Sequence, residues 1–164
     1  VEMTFAVNQL AYFLITHLLL PTLKASAPSR IINVASNYAG ELDLNDISYT
    51  RRQYDKHSAY QASKQANRMF TWALARRLEG TNVTANALHP GVVSTPLLHG
   101  MGVGGGISTE QGAATSLHLA LSSEVEGING AFWDAKRQAS KRFTDVKAQE
   151  ALWSLCERLC GLSQ

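Results

Sequence analysis

"IINVAS", residues 31–36, is the stretch on which the fold turns. Ile31, Ile32 and Val34 are β-branched, and the short run lies between polar turn residues. That fits a buried strand of a parallel sheet. "SAPSR" before it (26–30) reads as a turn. Further upstream, residues 3–25 carry apolar side chains at Phe5, Leu10, Phe13, Leu14, Leu18 and Leu19. This spacing predicts a largely buried helix that stops near Pro21. Its apolar stretch "LAYFLITHLLL" (10–20) is too short to span a bilayer and holds His17, and no secretory signal is visible.

Downstream, "NYAGELDLNDISYTRRQYDKH" (37–57) is polar and irregular. It reads as a long surface loop of a kind often tied to function, with Asp43 and Asp46 as solvated charges. A second helix is predicted from Ser58 to about Leu78, with Phe70, Leu74 and Leu78 as one apolar stripe and Gly80 ending it. "NVTANALHPG" (82–91) gives a strand that closes on Pro90-Gly91. Residues 92–108 form a flexible loop, and Ser108 or Thr109 caps a third helix, "TEQGAATSLHLALSS". "NGAFWD" (129–134) reads as a last short strand. "DVKAQEALWSLCERLCGL" (145–162) reads as a closing amphipathic helix with Ala151, Leu152, Leu155 and Leu159 inward.

Helices and strands therefore alternate, which implies an α/β fold: a parallel sheet of three strands with helices on both faces. The first strand would leave a bare hydrophobic edge, so a pairing neighbour is expected upstream of Val1. The sequence opens on Val1 within residues that already read as helix, and a longer chain is the expectation.

Composition bounds the function. The 164 residues, 45% hydrophobic and 17% charged with a net charge of +2, suit one soluble domain. The longest basic runs are Arg51-Arg52 and Arg76-Arg77, too sparse for a nucleic-acid partner. Cys156 and Cys160 read as two reduced thiols on one helix. They lack the further ligands of a zinc set, so no metal is expected and a reducing, cytoplasmic setting is the default.

"HSAYQASKQANRMF" (57–70) sets Tyr60 four residues before Lys64, on one helix face. Ser36 stands at the C-terminal end of the first strand, where open α/β sheets place their sites. An ammonium beside a phenol favours the phenolate. A hydroxyl that exchanges a proton near neutral pH is what alcohol–carbonyl interconversion needs, and Ser36 suits a substrate oxygen that gains negative charge. A hydrolase triad of Ser36, His89 and an aspartate is disfavoured, because "VASNYAG" has no G-x-S-x-G elbow. His89 reads as a packed or turn-facing histidine.

With these residues in order, the sequence resembles the short-chain dehydrogenase/reductase family, particularly its retinol-dehydrogenase-like members. "TFAVNQLAYFLIT" resembles the helix with the family's active-site Asn, here Asn8. "RIINVAS" resembles the strand that ends in the catalytic Ser, here Ser36, and "YQASK" is the Tyr-x-x-x-Lys motif. "NALHPGVVSTPL" resembles the strand and Pro-Gly turn beside the nicotinamide. The resemblance implies a partial Rossmann-like, doubly wound sheet and an NAD- or NADP-dependent oxidoreductase. Tyr60 would be its proton donor or acceptor and Ser36 its carbonyl binder. Lys64 would bind the cofactor ribose and tune Tyr60, and Asn8 would hold a water in the proton path. Pro90, Gly91, Val93 and Thr95 would contact the nicotinamide end. The substrate would be a small hydrophobic alcohol or carbonyl compound, covered by the loop 92–108. Helices 3–25 and 58–78 would pair copies in a homo-oligomer.

The resemblance has departures. Ala35-Ser36 stands where many relatives have two serines, and the loop between Ser36 and Tyr60 is longer than in many. The chain corresponds to about the C-terminal two-thirds of a family core, so residues 1–164 read as one incomplete domain. The family's Gly-rich turn, the residue that selects NAD or NADP and the Asn-Asn-Ala-Gly strand are missing; they and any membrane anchor would lie upstream. A truncated, non-catalytic relative acting through helix association is the alternative. "GMGVGG" (Gly100, Gly102, Gly105) matches G-x-G-x-x-G but lies about ten residues past its strand, so it reads as loop glycines rather than a pyrophosphate cradle.

Overall fold

Parallel pairing builds the sheet in the computed structural model, which describes residues 1–100, 102 and 104–162. Strand β1 (Ser29–Val34) pairs in parallel with β2 (Val83–His89), in register from Ser29 opposite Val83 to Val34 opposite Leu88. Strand β3 (Phe132–Asp134) continues the parallel sheet on the other side of β2, with His89 opposite Asp134. A fourth strand, β4 (Arg137–Ala139), turns back antiparallel to β3, giving the order β1-β2-β3-β4. The sequence predicted three strands. The fourth has no alternating pattern because all three of its residues are exposed, and its turn uses Ala135 and Lys136 at positive φ instead of glycine.

Helix α1 (Met3–Ala25) precedes β1, and a π-helical turn at Ala6–Leu10 interrupts its α-helical bonding. It does not stop near Pro21. Proline costs one backbone bond there, at an exposed position, and the next turn still brings Leu23 onto the core. Nor is it largely buried: Met3, Val7, Ile15, Leu18 and Leu19 are all exposed. At 23 residues it is long and apolar enough to cross a membrane by length and composition, more than the stretch 10–20 suggested. Here it packs on the next helix through Phe5, Gln9 and Phe13.

Helix α2 (Lys56–Arg77) starts where Asp55 accepts the Ser58 N–H at 2.8 Å, an N-cap. Phe70, Leu74 and Leu78 are buried as the stripe predicted, against Phe5 and Phe13 of α1 and against Leu152 and Cys156 of the closing helix. A short helix α3 (Pro96–Gly100) lies in the loop after β2. Helix α4 (Thr109–Leu121) covers the opposite sheet face, where Leu119 meets Leu88, Val125 and Trp133. Ser108 caps it in a capping box with Gln111. Helix α5 (Val146–Leu159) closes the fold, with Gln149, Leu152 and Cys156 as its buried residues. Ala151 and Leu159 are exposed and Leu155 is half-buried, because the helix docks about one residue rotated from the face read in sequence.

The loop between β1 and α2 is more ordered than its polarity implied. Asp46 is 4% exposed and accepts from the Thr50 N–H, the Thr50 hydroxyl and the Arg51 N–H. Burial raises its carboxyl pKa, but these hydrogen bonds and Arg52 outweigh that and hold it below the usual range. Asp46 is therefore the loop's organiser and not a solvated charge; Asp43 is the exposed one.

Candidate active site

Two parallel strand ends form the floor of the site. The Ala35 N–H donates to the Leu88 carbonyl at 2.8 Å, one step beyond β1, so Ser36 and the turn His89-Pro90-Gly91 emerge side by side. Ser36 is 4% exposed. Helix α2 approaches from above. Lys64 is 8% exposed and its Nζ donates to the Val34 carbonyl at 3.0 Å, two residues before Ser36. Burial lowers the Lys64 pKa to about 8. Its Nζ lies 5.8 Å from the centre of the Tyr60 ring, one helical turn back.

The π-helical turn of α1 carries Asn8, and such turns recur at functional sites. Asn8 Nδ2 donates to Ser63 Oγ at 3.1 Å, and Ser63 Oγ donates to the Tyr60 carbonyl at 2.7 Å. Asn67 Nδ2 donates to the Asn8 carbonyl at 2.6 Å. Asn8 thus reaches Tyr60 through Ser63 and the backbone, behind the ring.

After the strand end, Gly91 has φ 90°, and a Cβ there would lie 2.7 Å from Ile107 Cδ1. Only glycine suits both the backbone and the space. Val93 pairs with Ile107 as an isolated bridge, with the Ser94 N–H donating to the Ile107 carbonyl at 2.9 Å. The Val93 side chain packs on Gly112 of α4, so Val93 roots the loop and has only its backbone to offer a ligand. Thr95 Oγ1 accepts from the Leu98 N–H at 3.3 Å at the start of α3.

Comparison with known proteins gives this constellation its family. A family model described as short chain dehydrogenase matches residues 1–102. The chain belongs to the short-chain dehydrogenase family. Retinol dehydrogenase 13 of Homo sapiens is 40% identical over 180 residues, a match covering 98% of this chain and 54% of that protein. An uncharacterised protein from Mycobacterium paratuberculosis has a crystal structure 28% identical in sequence; the match has a TM-score of 0.71 and covers 96% of this chain and 58% of that one. A landomycin C-6 ketoreductase with bound NADP and rabelomycin is 27% identical with a TM-score of 0.57, covering 80% of this chain and 49% of that one. The chain thus spans about half the length of the relatives it matches.

Three residues packed around Ser36, Tyr60 and Lys64 were not singled out by the sequence. Tyr38 stacks on Tyr60, with ring centres 6.3 Å apart and planes at 28°. Ser63 joins Asn8 to Tyr60. The Tyr12 ring lies 5.9 Å from Lys64 Nζ, and burial, then the nearby Tyr60, pushes its hydroxyl pKa up. All three depend on tertiary contacts; Tyr38, two residues after Ser36, and Ser63, inside the Tyr-x-x-x-Lys motif, carried a sequence signal through their neighbours. His89 sits beside the strand end, opposite Asp134. Its Nδ1 is buried with no partner among the described residues, and burial lowers its pKa against the pull of Asp134.

The glycine motif also falls into place. Gly100 ends α3, and Gly102 and Gly105 have φ near 80° at 78° and 82°; Met101 and Val103 lie outside the described residues. The motif follows a helix, not a strand, so it lacks the strand–turn–helix context that cradles a pyrophosphate.

Proposed function

We propose that this chain supplies the proton-transfer side of an oxidoreductase that interconverts an alcohol and a carbonyl with NAD or NADP, on a hydrophobic substrate. The observation that carries this reading is the convergence of Ser36, Tyr60 and Lys64 at one strand end, fixed by the 3.0 Å bond from Lys64 to Val34. Ser36 Oγ accepts from the Tyr38 N–H at 3.0 Å, so its own hydrogen is free to donate to a substrate oxygen. That bond strengthens as the oxygen gains negative charge. The Tyr60 hydroxyl gives its proton to the same oxygen, and in the other direction its phenolate takes one from the alcohol. The Lys64 ammonium favours the phenolate. Asn8, acting through Ser63, steadies the Tyr60 backbone.

The residues present suit a nicotinamide nucleotide. Lys64 spends one N–H on Val34 and keeps two for ribose hydroxyls. Thr95 accepts at Oγ1 and keeps its own hydrogen for a carboxamide oxygen. Tyr60, Lys64, Pro90, Gly91, Val93 and Thr95 would hold that end of the molecule. When bound, NAD or NADP supplies or accepts the hydride at the reacting carbon. The NADP in the ketoreductase relative supports the cofactor class. In the full-length protein, Tyr60→Phe should cut turnover at least about a hundredfold while leaving cofactor affinity largely intact, since the ring and the other cofactor-holding residues stay. Retained turnover would overturn the reading.

A second reading rests on the exposed stripe of Val7, Ile15 and Leu18 along α1. It supports association of two copies through α1, with or without catalysis. Helix α2, where only Lys56 and Arg77 at the ends are exposed, has little free surface to add. Sedimentation of Leu18→Lys against the wild type tests this, and an unchanged oligomeric state rejects it.

A further inference from the structure

Lys64 is buried, and an ammonium taken out of water needs another source of stabilisation. No carboxylate among the described residues supplies it: the ion pairs run from Arg52 to Asp46 and from Arg76 and Arg77 to Glu150. One carbonyl and two aromatic rings surround the ammonium instead. Nζ donates to the Val34 carbonyl at 3.0 Å, and it lies 5.8 Å from the centre of the Tyr60 ring and 5.9 Å from the centre of the Tyr12 ring. Both distances are within reach of the attraction between a cation and the electron-rich face of a ring. The two rings differ in kind. Tyr60 changes charge when it gives or takes a proton. Tyr12 stays neutral, because burial and then Tyr60 push its hydroxyl pKa up. One helix delivers both supports of the pair on α2: Asn8 reaches Ser63, and Tyr12, four residues on along α1, reaches Lys64.

We propose that Tyr12 is a positioning residue: with the Val34 carbonyl and Tyr60, its neutral ring forms a cage that keeps the Lys64 charge seated beside the Tyr60 ring. Tyr12 also packs against the apolar core, a task that any large apolar side chain performs. Only an aromatic ring adds the attraction to the ammonium. A leucine there fills the space and leaves Lys64 equally buried, so it sheds its proton at lower pH. This inference deepens the oxidoreductase reading and rests on it for what the charge is used for.

The test uses the full-length protein with isotope-labelled lysine, followed by nuclear magnetic resonance, the Lys64 signal being the one lost in Lys64→Met. Tyr12→Leu should lower the pH at which Lys64 loses its proton by about one pH unit, and Tyr12→Phe, which keeps the ring, should leave it at the wild-type value. Tyr12→Met is the second variant, flexible enough to fill the space if leucine does not fold there, and the same shift is expected of it. The alkaline limb of hexanal reduction with NADPH should move with the Lys64 midpoint, while the rate at about pH 6 stays within about twofold. An unmoved midpoint, an equal shift in Tyr12→Phe, or an active enzyme whose alkaline limb stays put while the midpoint moves overturns the proposal. The titration needs no turnover, so the reading beneath it fails separately. If Tyr60→Phe reduces hexanal as fast as the wild type, the oxidoreductase reading is rejected, and the shifted midpoint still sustains the cage.

Discussion

Helices α1 and α2 lie against each other and invert the usual relation between composition and burial. Helix α1 is the more apolar, yet Val7, Ile15, Leu18 and Leu19 face outward. Helix α2 is the more polar, yet Ser63, Lys64, Asn67, Arg68 and Thr71 are all buried. Each of these side chains makes at least one hydrogen bond, although Asn67 Oδ1 and Arg68 Nε have no partner among the described residues. Lys64 bonds Val34, Asn67 bonds Asn8 and Gln9, Thr71 bonds the Asn67 carbonyl, and Arg68 bonds Ser140 and lies 3.6 Å from the centre of the Phe132 ring. The difference teaches that position in the layers sets burial here. The central helix carries polar residues where they serve the site and the core, and the outer helix carries apolar residues that are left for another surface.

The sharpest way to break this contrast is Lys64→Met, which keeps the volume and removes the charge. In the full-length protein we expect turnover to fall about a thousandfold or more, measured by cofactor absorbance. Stability should move the other way. The folded pKa of Lys64 is about 8 against an ordinary 10.5, so below pH 8 the fold must hold a charge that burial disfavours. The unfolded chain binds more protons between those values, so wild-type stability rises as pH rises from about 8 to 10.5. Lys64→Met should be more stable than wild type at pH 7, and thermal melts should show that advantage shrinking over this window. A constant difference across it would reject the buried ammonium.

Leu74→Ala removes an apolar contact of α2 that is 1% exposed and should cost about 3 kcal/mol in denaturant unfolding. Asn67→Ala leaves Gln9 Oε1 and the Asn8 carbonyl without their donor and should cost about 2 kcal/mol. Its effect on turnover then reads how far Asn8 must be held. The smallest effect is expected on α1: Leu18, 65% exposed, should tolerate alanine within about 0.5 kcal/mol in dilute solution. A loss as large as that of Leu74→Ala would mean that α1 is covered and the contrast is only apparent.

The sequence made the layers legible where pattern and packing agree. "IINVAS" carries β-branched Ile31, Ile32 and Val34, and the strand appears there, displaced by two residues because Ser29 and Arg30 already pair with Val83 and Thr84. Tyr60 and Lys64 were legible because a helix repeats every turn. The exposure of α1 was not, since an apolar helix looks the same whether or not its outer face is covered. Strand β4 was silent because its residues face solvent and its turn lacks glycine. Tyr38 and Ser63 matter through contacts with residues 22 positions away or more, across to Tyr60 and Asn8, and such closures follow from docking that no local pattern encodes.

The bridge between Val93 and Ile107 has an evolutionary consequence. It ties the two feet of the chain between Ser94 and Gly106 together, with Val93 packed on Gly112 of α4, and none of the described residues between the feet pairs with the main sheet. Loop-closure cost grows slowly, by about 0.6 kcal/mol for each doubling of length. Residues from 96 to 105 can therefore be inserted, deleted or exchanged at little cost to the fold, while Thr95 and Gly106 at the two ends stay in place.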